Sequence, residues 1–161
     1  MALVVETGSV VEGAESYVDV AAADIYHANR GNTAWAALNA ASKEQALRKA
    51  TAFIDGKYRL RWKGGRVTSI QPLCWPRWGV EDEEGFFIWN STIPPRLKDA
   101  VCEAALRSLT SDLVEDVDTS IKRQKIDIIE TEFAIGGGVE YRQITMLLSD
   151  LIRSGNDLVR G

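Results

Sequence analysis

The stretch 63–92 constrains the fold most, because it can belong to no long regular element. Gly64-Gly65, Pro72, Pro76, Gly79 and Gly85 interrupt it, and such residues end helices and break sheet ladders. A loop of this length inside a compact domain is either functional or disordered. This one carries Trp75, Trp78 and Trp89, with Trp62 just before it. Leaving all of those indoles exposed would be a large apolar liability. The pattern therefore predicts an ordered loop held between two helices.

Both flanking helices are legible. Ser42-Lys43-Glu44-Gln45 reads as a capping box, which predicts a helix over about 43–58. Leu47, Ala50, Ile54 and Tyr58 fall at helical spacing and form its buried stripe. Ile93-Pro94-Pro95 opens a second helix, since a first-turn proline lacks only an N–H that had no intrahelical partner. Its stripe, Leu97, Val101, Ala104, Ala105 and Leu109, runs through about Leu113, and the alanines predict close packing on the first helix. Upstream, residues 3–13 read as an extended entry arm. Asp19 caps a helix over 20–29 that Gly31 stops, and 33–38 forms a short turn.

After Val114 the character changes. Glu115-Asp116-Val117-Asp118 is acidic, 121–125 is basic, and 126–133 alternates like a strand or ribbon. Gly136-Gly137-Gly138 reads as a hinge before a short amphipathic helix whose face is Tyr141, Ile144, Leu147, Leu148 and Leu151. The expected organisation is a helical core over 1–114 and an extended C-terminal docking arm over 115–161. The arm docks on its own core or on a neighbouring chain. The fold class is mainly α: a small helical bundle with a long ordered Trp/Pro/Gly loop and a strand-plus-short-helix tail.

Chemistry narrows the function by exclusion. The chain has 161 residues, one His and two Cys, too few for a disulfide framework or a zinc site. His27 has no nucleophile in a recognisable context, and Gly136-Gly137-Gly138 lacks the Lys-Ser/Thr of a phosphate loop. No enzyme activity, metal or cofactor is expected. No run of about 18 apolar residues is present to span a membrane, and the first residues lack the marks of a signal peptide. The net charge of −4 argues against a dedicated nucleic-acid coat protein.

What remains is a contact surface. Arg59, Arg61, Lys63 and Arg66 interleave with Leu60 and Trp62, suggesting an extended segment with one charged and one buried face. Arg77 and Trp78 extend the surface, while Trp62, Trp75, Trp78 and Trp89 could equally pack over the helix pair as a satellite core, Trp62 and Trp75 above all. Arg77 could likewise bridge loop carbonyls. Aromatics among cations serve single-strand binding or protein interfaces. The candidate interface is Arg59, Arg61, Trp62, Lys63, Arg66, Arg77 and Trp78, with Tyr141, Ile144, Leu147, Leu148 and Leu151 on the tail.

The order of features resembles a known group. Tyr17-Val18, Asp24, Tyr26, Arg30-Gly31, Ala50-Thr51, Ile54-Asp55 and Tyr58 lead to Trp62-Lys63-Gly64 and Gln71. Trp75-Pro76-Arg77, Gly79, Asp82, Gly85, Ile93-Pro94, Lys98, Ala100 and Cys102-Glu103 follow. Over about residues 6–110 this resembles small tailed-phage proteins often labelled DnaT-like single-stranded DNA-binding proteins, and the helical head-to-tail connector adaptors of long-tailed phages. The connector resemblance implies a virion protein forming a ring, twelve-fold by expectation. That ring sits between the portal protein and a tail-side stopper or completion protein, below the capsid portal vertex. Packaged double-stranded DNA passes through its lumen without sequence recognition. Such a tunnel should not grip phosphates, which suits an acidic chain. The alternative is a phage single-stranded DNA-binding protein, with Trp62, Trp75 and Trp78 stacking bases and Arg59, Arg61, Lys63 and Arg66 on phosphates.

Overall fold

A computed structural model describes residues 2–114, 124–126, 129–131 and 141–153. Helix α1 (Val20–Ala28) starts where Asp19 Oδ1 accepts the Ala22 N–H at 2.7 Å, and Gly31 just beyond it takes φ +67°. A single turn, α2 (Thr33–Ala36), seats Trp35 in the core, where its indole N–H donates to Asp24. Helix α3 (Ala40–Tyr58) begins earlier than the capping box predicts. Asn39 is an equally good cap, its Oδ1 accepts the Ser42 N–H, and Ala40-Ala41 extend the helix at no propensity cost.

Two short antiparallel pairs organise the middle of the chain. Strands β1 (Gly65–Arg66) and β2 (Arg77–Trp78) pair Gly65 with Trp78 and Arg66 with Arg77. Strands β3 (Val80–Glu81) and β4 (Phe87–Ile88) pair Val80 with Ile88 and Glu81 with Phe87. Helix α4 (Pro95–Arg107) then packs its alanine-bearing face on α3, as the small residues predict. It stops short of Leu113 because Ser108 and Thr110 turn their hydroxyls back onto the Ala105 and Arg107 carbonyls, competing with the helical ladder.

Strands β5 (Gln124–Ile126) and β6 (Ile129–Thr131) pair antiparallel; β6 lies inside the 126–133 stretch expected to be a ribbon, while β5 starts two residues before it. The Gly136-Gly137-Gly138 hinge lies outside the described residues. Helix α5 (Arg142–Leu147) and a 3-10 turn (Ser149–Leu151) follow, with α5 packed on α4. Tyr141, Ile144, Leu148, Leu151 and Ile152 are all buried in the same core as Leu47, Ile54, Leu97 and Val101. Of the two docking partners left open by the sequence, this chain's own core is the one observed. The fold is mainly helical, as its sequence predicts.

Candidate functional site

The loop between α3 and α4 is fixed by polar contacts to its own carbonyls. Arg77 is buried and donates from Nε to the Lys63 carbonyl (2.7 Å), from Nη2 to Gly64 (2.7 Å) and from Nη1 to Cys74 (3.2 Å). Gln71 donates to the Leu73 and Pro76 carbonyls and accepts the Thr68 N–H. Beneath them, Tyr17 donates its hydroxyl to both Asp55 oxygens (2.7 and 2.9 Å) while accepting the Trp75 N–H, and Asp55 also accepts the Cys74 N–H. Burial pushes the Asp55 carboxyl above the ordinary range against those donors, and pushes the Cys74 thiol up to about 11, so Cys74 is a poor nucleophile. A Cβ at Gly64 would overlap the Trp78 carbonyl, and one at Gly65 would strike the Trp78 indole. Gly64, which also holds φ +63°, must be glycine for β1 and β2 to close, whereas a side chain at position 65 would displace the exposed indole.

This network separates the candidate residues into two sets. Trp62 (2% exposed) and Trp75 (0%) meet edge to face at 5.9 Å inside the core; neither can stack on a partner. Arg77 is the loop's internal bridge. Tyr141, Ile144, Leu148 and Leu151 are core, with Leu147 packed against it, so their apolar surface is already covered. Trp78 is outward at 60% exposure. Arg59 and Arg66 are exposed, and Arg61 and Lys63 are half-buried. The extended alternation expected over 59–63 does not form. The chain turns there instead, with Arg61 and Trp62 N–H groups both on the Tyr58 carbonyl, which throws Leu60 out to 91% exposure.

Three aromatic residues join Trp78 that composition alone did not single out as surface. Phe86, Phe87 (69%) and Trp89 (77%) are all exposed on or beside β4. The signal was available in Asp82-Glu83-Glu84-Gly85, a turn in which Asp82 Oδ1 accepts the Glu84 and Phe86 N–H groups. Period-two alternation from there turns Ile88 inward against Val80 and Phe87 outward beside Glu81. Lys63 Nζ donates to the Glu81 carbonyl, linking the basic turn to this hairpin. Among the described residues, Arg59, Arg61, Lys63 and Arg66 make no ion pair. The site thus combines outward aromatics on or beside β2 and β4 with cations that make no ion pair among the described residues: the Trp78 indole lies over Gly65, next to Arg66, and Lys63 reaches Glu81, the partner of Phe87. Glu81, Glu83 and Glu84 belong to the same hairpin. Neither the curated proteins nor the solved structures compared with the chain gave a match. A family model described as "Putative DnaT-like ssDNA binding protein" matches residues 1–161, its whole length. The chain belongs to that family.

Proposed function

We propose that this chain binds single-stranded DNA through Trp78, Phe87 and Trp89 as stacking platforms, with Arg59, Arg61, Lys63 and Arg66 on the backbone phosphates. The observation carrying this reading is that one loop holds outward aromatics together with cations that make no ion pair among the described residues. Every base offers a π-face, and a cation without an ion pair can meet a phosphate at no cost in broken contacts. The family description supports it. The platforms differ from those the sequence suggested, because Trp62 and Trp75 are spent on the core. Net charge of the whole chain is a weaker guide than local charge, since contacts within a Debye length of about 8–10 Å decide binding.

A second reading is favoured by Glu81, Glu83 and Glu84, which adjoin the same aromatics and would repel a phosphate. In that reading the chain is the phage connector adaptor. The aromatic strip and its two flanking charge signs form one side of a heterologous contact between subunits of a ring, or the contact with the portal. No catalytic role is proposed in either case.

Fluorescence anisotropy of a labelled oligodeoxythymidine separates the two, read against salt and beside co-sedimentation with the portal ring encoded by the same genome. DNA binding whose log Kd rises with log salt by roughly 0.7 per phosphate contacted supports the first reading. Co-migration with the portal and no DNA binding at physiological salt overturns it in favour of the second.

A further inference from the structure

The antiparallel bridge between Trp62 and Ile152 brings the turn after α3 alongside the segment after α5. Lys63 N–H donates to the Leu151 carbonyl at 3.0 Å, and Arg153 N–H donates to the Arg61 carbonyl at 2.6 Å. Trp62 and Ile152 both face the core. Their neighbours in the two paired segments, Arg61, Lys63 and Arg153, gather at one cleft of about 370 Å³. The wall is completed by Thr145 and Ser149 from α5 and the 3-10 turn, and by Glu83 from the turn of the β3–β4 hairpin.

The charges in this cleft are not balanced. Among the described residues none of the three cations makes an ion pair, and Glu83 pairs with none of them. Arg61 is held in place, its guanidinium 5.7 Å from the centre of the Tyr58 ring and its Nη2 reaching the Arg153 carbonyl at 3.4 Å. Yet its Nε is shut off from solvent and donates to nothing. A buried, unmade hydrogen bond from a charged group is costly, and like charges crowded in one cleft repel. The repulsion is relieved when an oxyanion enters, because a guanidinium edge and an ammonium recognise phosphate through short charge-assisted bonds.

We infer that the cleft walled by Arg61, Lys63 and Arg153 is an oxyanion site that takes a phosphate group. Its assignment to a backbone phosphate of bound DNA, as opposed to free phosphate, rests on the DNA-binding reading; its existence does not. Arg153, beyond α5, thereby joins two cations from the turn after α3.

The test is an NMR titration of the full chain, following the arginine Nε–Hε resonances. Inorganic phosphate is the first probe and a short oligodeoxythymidine the second. Phosphate is expected to move the Arg61 Nε–Hε signal saturably. Arg153→Gln, an exposed position, is expected to weaken phosphate binding by at least about tenfold with the melting temperature unchanged. Glu83→Gln is expected to tighten it, since a like charge leaves the wall. An Arg61 signal indifferent to phosphate, or moving equally in Arg153→Gln, overturns the inference even if the oligonucleotide binds elsewhere. An Arg61 signal that moves with protein concentration alone also overturns it, because the anion would then be a carboxylate of a second copy. If phosphate binds as described and the oligonucleotide does not bind at all, the site stands and the DNA reading falls.

Discussion

Removing residues 141–161 is the perturbation whose outcome the structure fixes most firmly. Ile144, Leu148, Leu151 and Ile152 are each no more than 4% exposed, and burying such a side chain contributes about 1.5–3 kcal/mol. Together they contribute roughly 6–12 kcal/mol of gross apolar stabilisation, comparable with the whole net stability of about 5–15 kcal/mol typical of a domain. The deletion also uncovers the face of α4 on which α5 lies and breaks the bridge to Trp62. The shortened chain is expected to lose cooperative unfolding and to expose its tryptophans to quenchers. A gentler version separates packing from length. Leu148→Ala should cost about 2–5 kcal/mol and lower the melting temperature by roughly 5–15 °C. Met146→Ala, exposed on the same helix, should stay within about 0.5 kcal/mol of the parent. Urea titrations followed by tryptophan fluorescence and by far-ultraviolet circular dichroism measure both. A truncated chain that unfolds cooperatively at the parent's midpoint would refute the argument, and would return the C-terminal segment to the role of a free arm.

Three further outcomes are expected. Arg77→Lys keeps a charge but cannot reach three carbonyls at once; it should destabilise by about 2–3 kcal/mol in urea melts, where an unchanged midpoint would show the bridge to be idle. Trp78→Ala and Trp89→Ala should each weaken oligodeoxythymidine binding by roughly five- to a hundredfold, with little change in melting temperature because both rings lie outside the core. Loss of stability in step with loss of binding would place them in the core instead. His27 is buried, and burial holds its pKa below the ordinary 6.5. The unfolded chain therefore binds the proton more readily, so stability should fall as pH drops below about 6.5. His27→Gln should flatten that slope between pH 7.5 and 5, and an unaltered slope would assign it to another group.

The helical frame was legible because its signals are local: Asp19 as a cap, the spacing of Leu47, Ala50 and Ile54, the proline start of α4. Side-chain competition is local too, yet Asn39 against Ser42 as a cap was a choice between near-equals, settled by the two alanines that follow Asn39. The contact surface was only half legible. Whether a tryptophan points in or out depends on partners far along the chain, and Trp62 is buried because Ile152 and Trp75 cover it. Trp89, whose size suits packing over the helix pair, stands outside because Ile88 beside it takes the inward position. The residues carrying the family resemblance tell a related story. Tyr17, Asp55, Gln71 and Trp75-Pro76-Arg77 are the ones that pin the loop to the helices. The fingerprint therefore records how the surface is held, while Trp78, Phe87 and Trp89 record what it can touch.

The Trp62–Ile152 bridge has a bearing on the order of events during synthesis. Trp62 leaves the ribosome long before Ile152 can meet it, so a nascent chain has both helices of the α3–α4 pair in hand while the indole's final cover is still unmade. Closing a loop of that length costs more entropy than any local turn in the molecule, and its rewards arrive only once α5 has docked. The basic cleft and the seat of the tryptophan loop are thus completed together and late. A partner that recognises that surface would meet only molecules in which α5 has docked, which makes that later segment a natural check on what is allowed to bind.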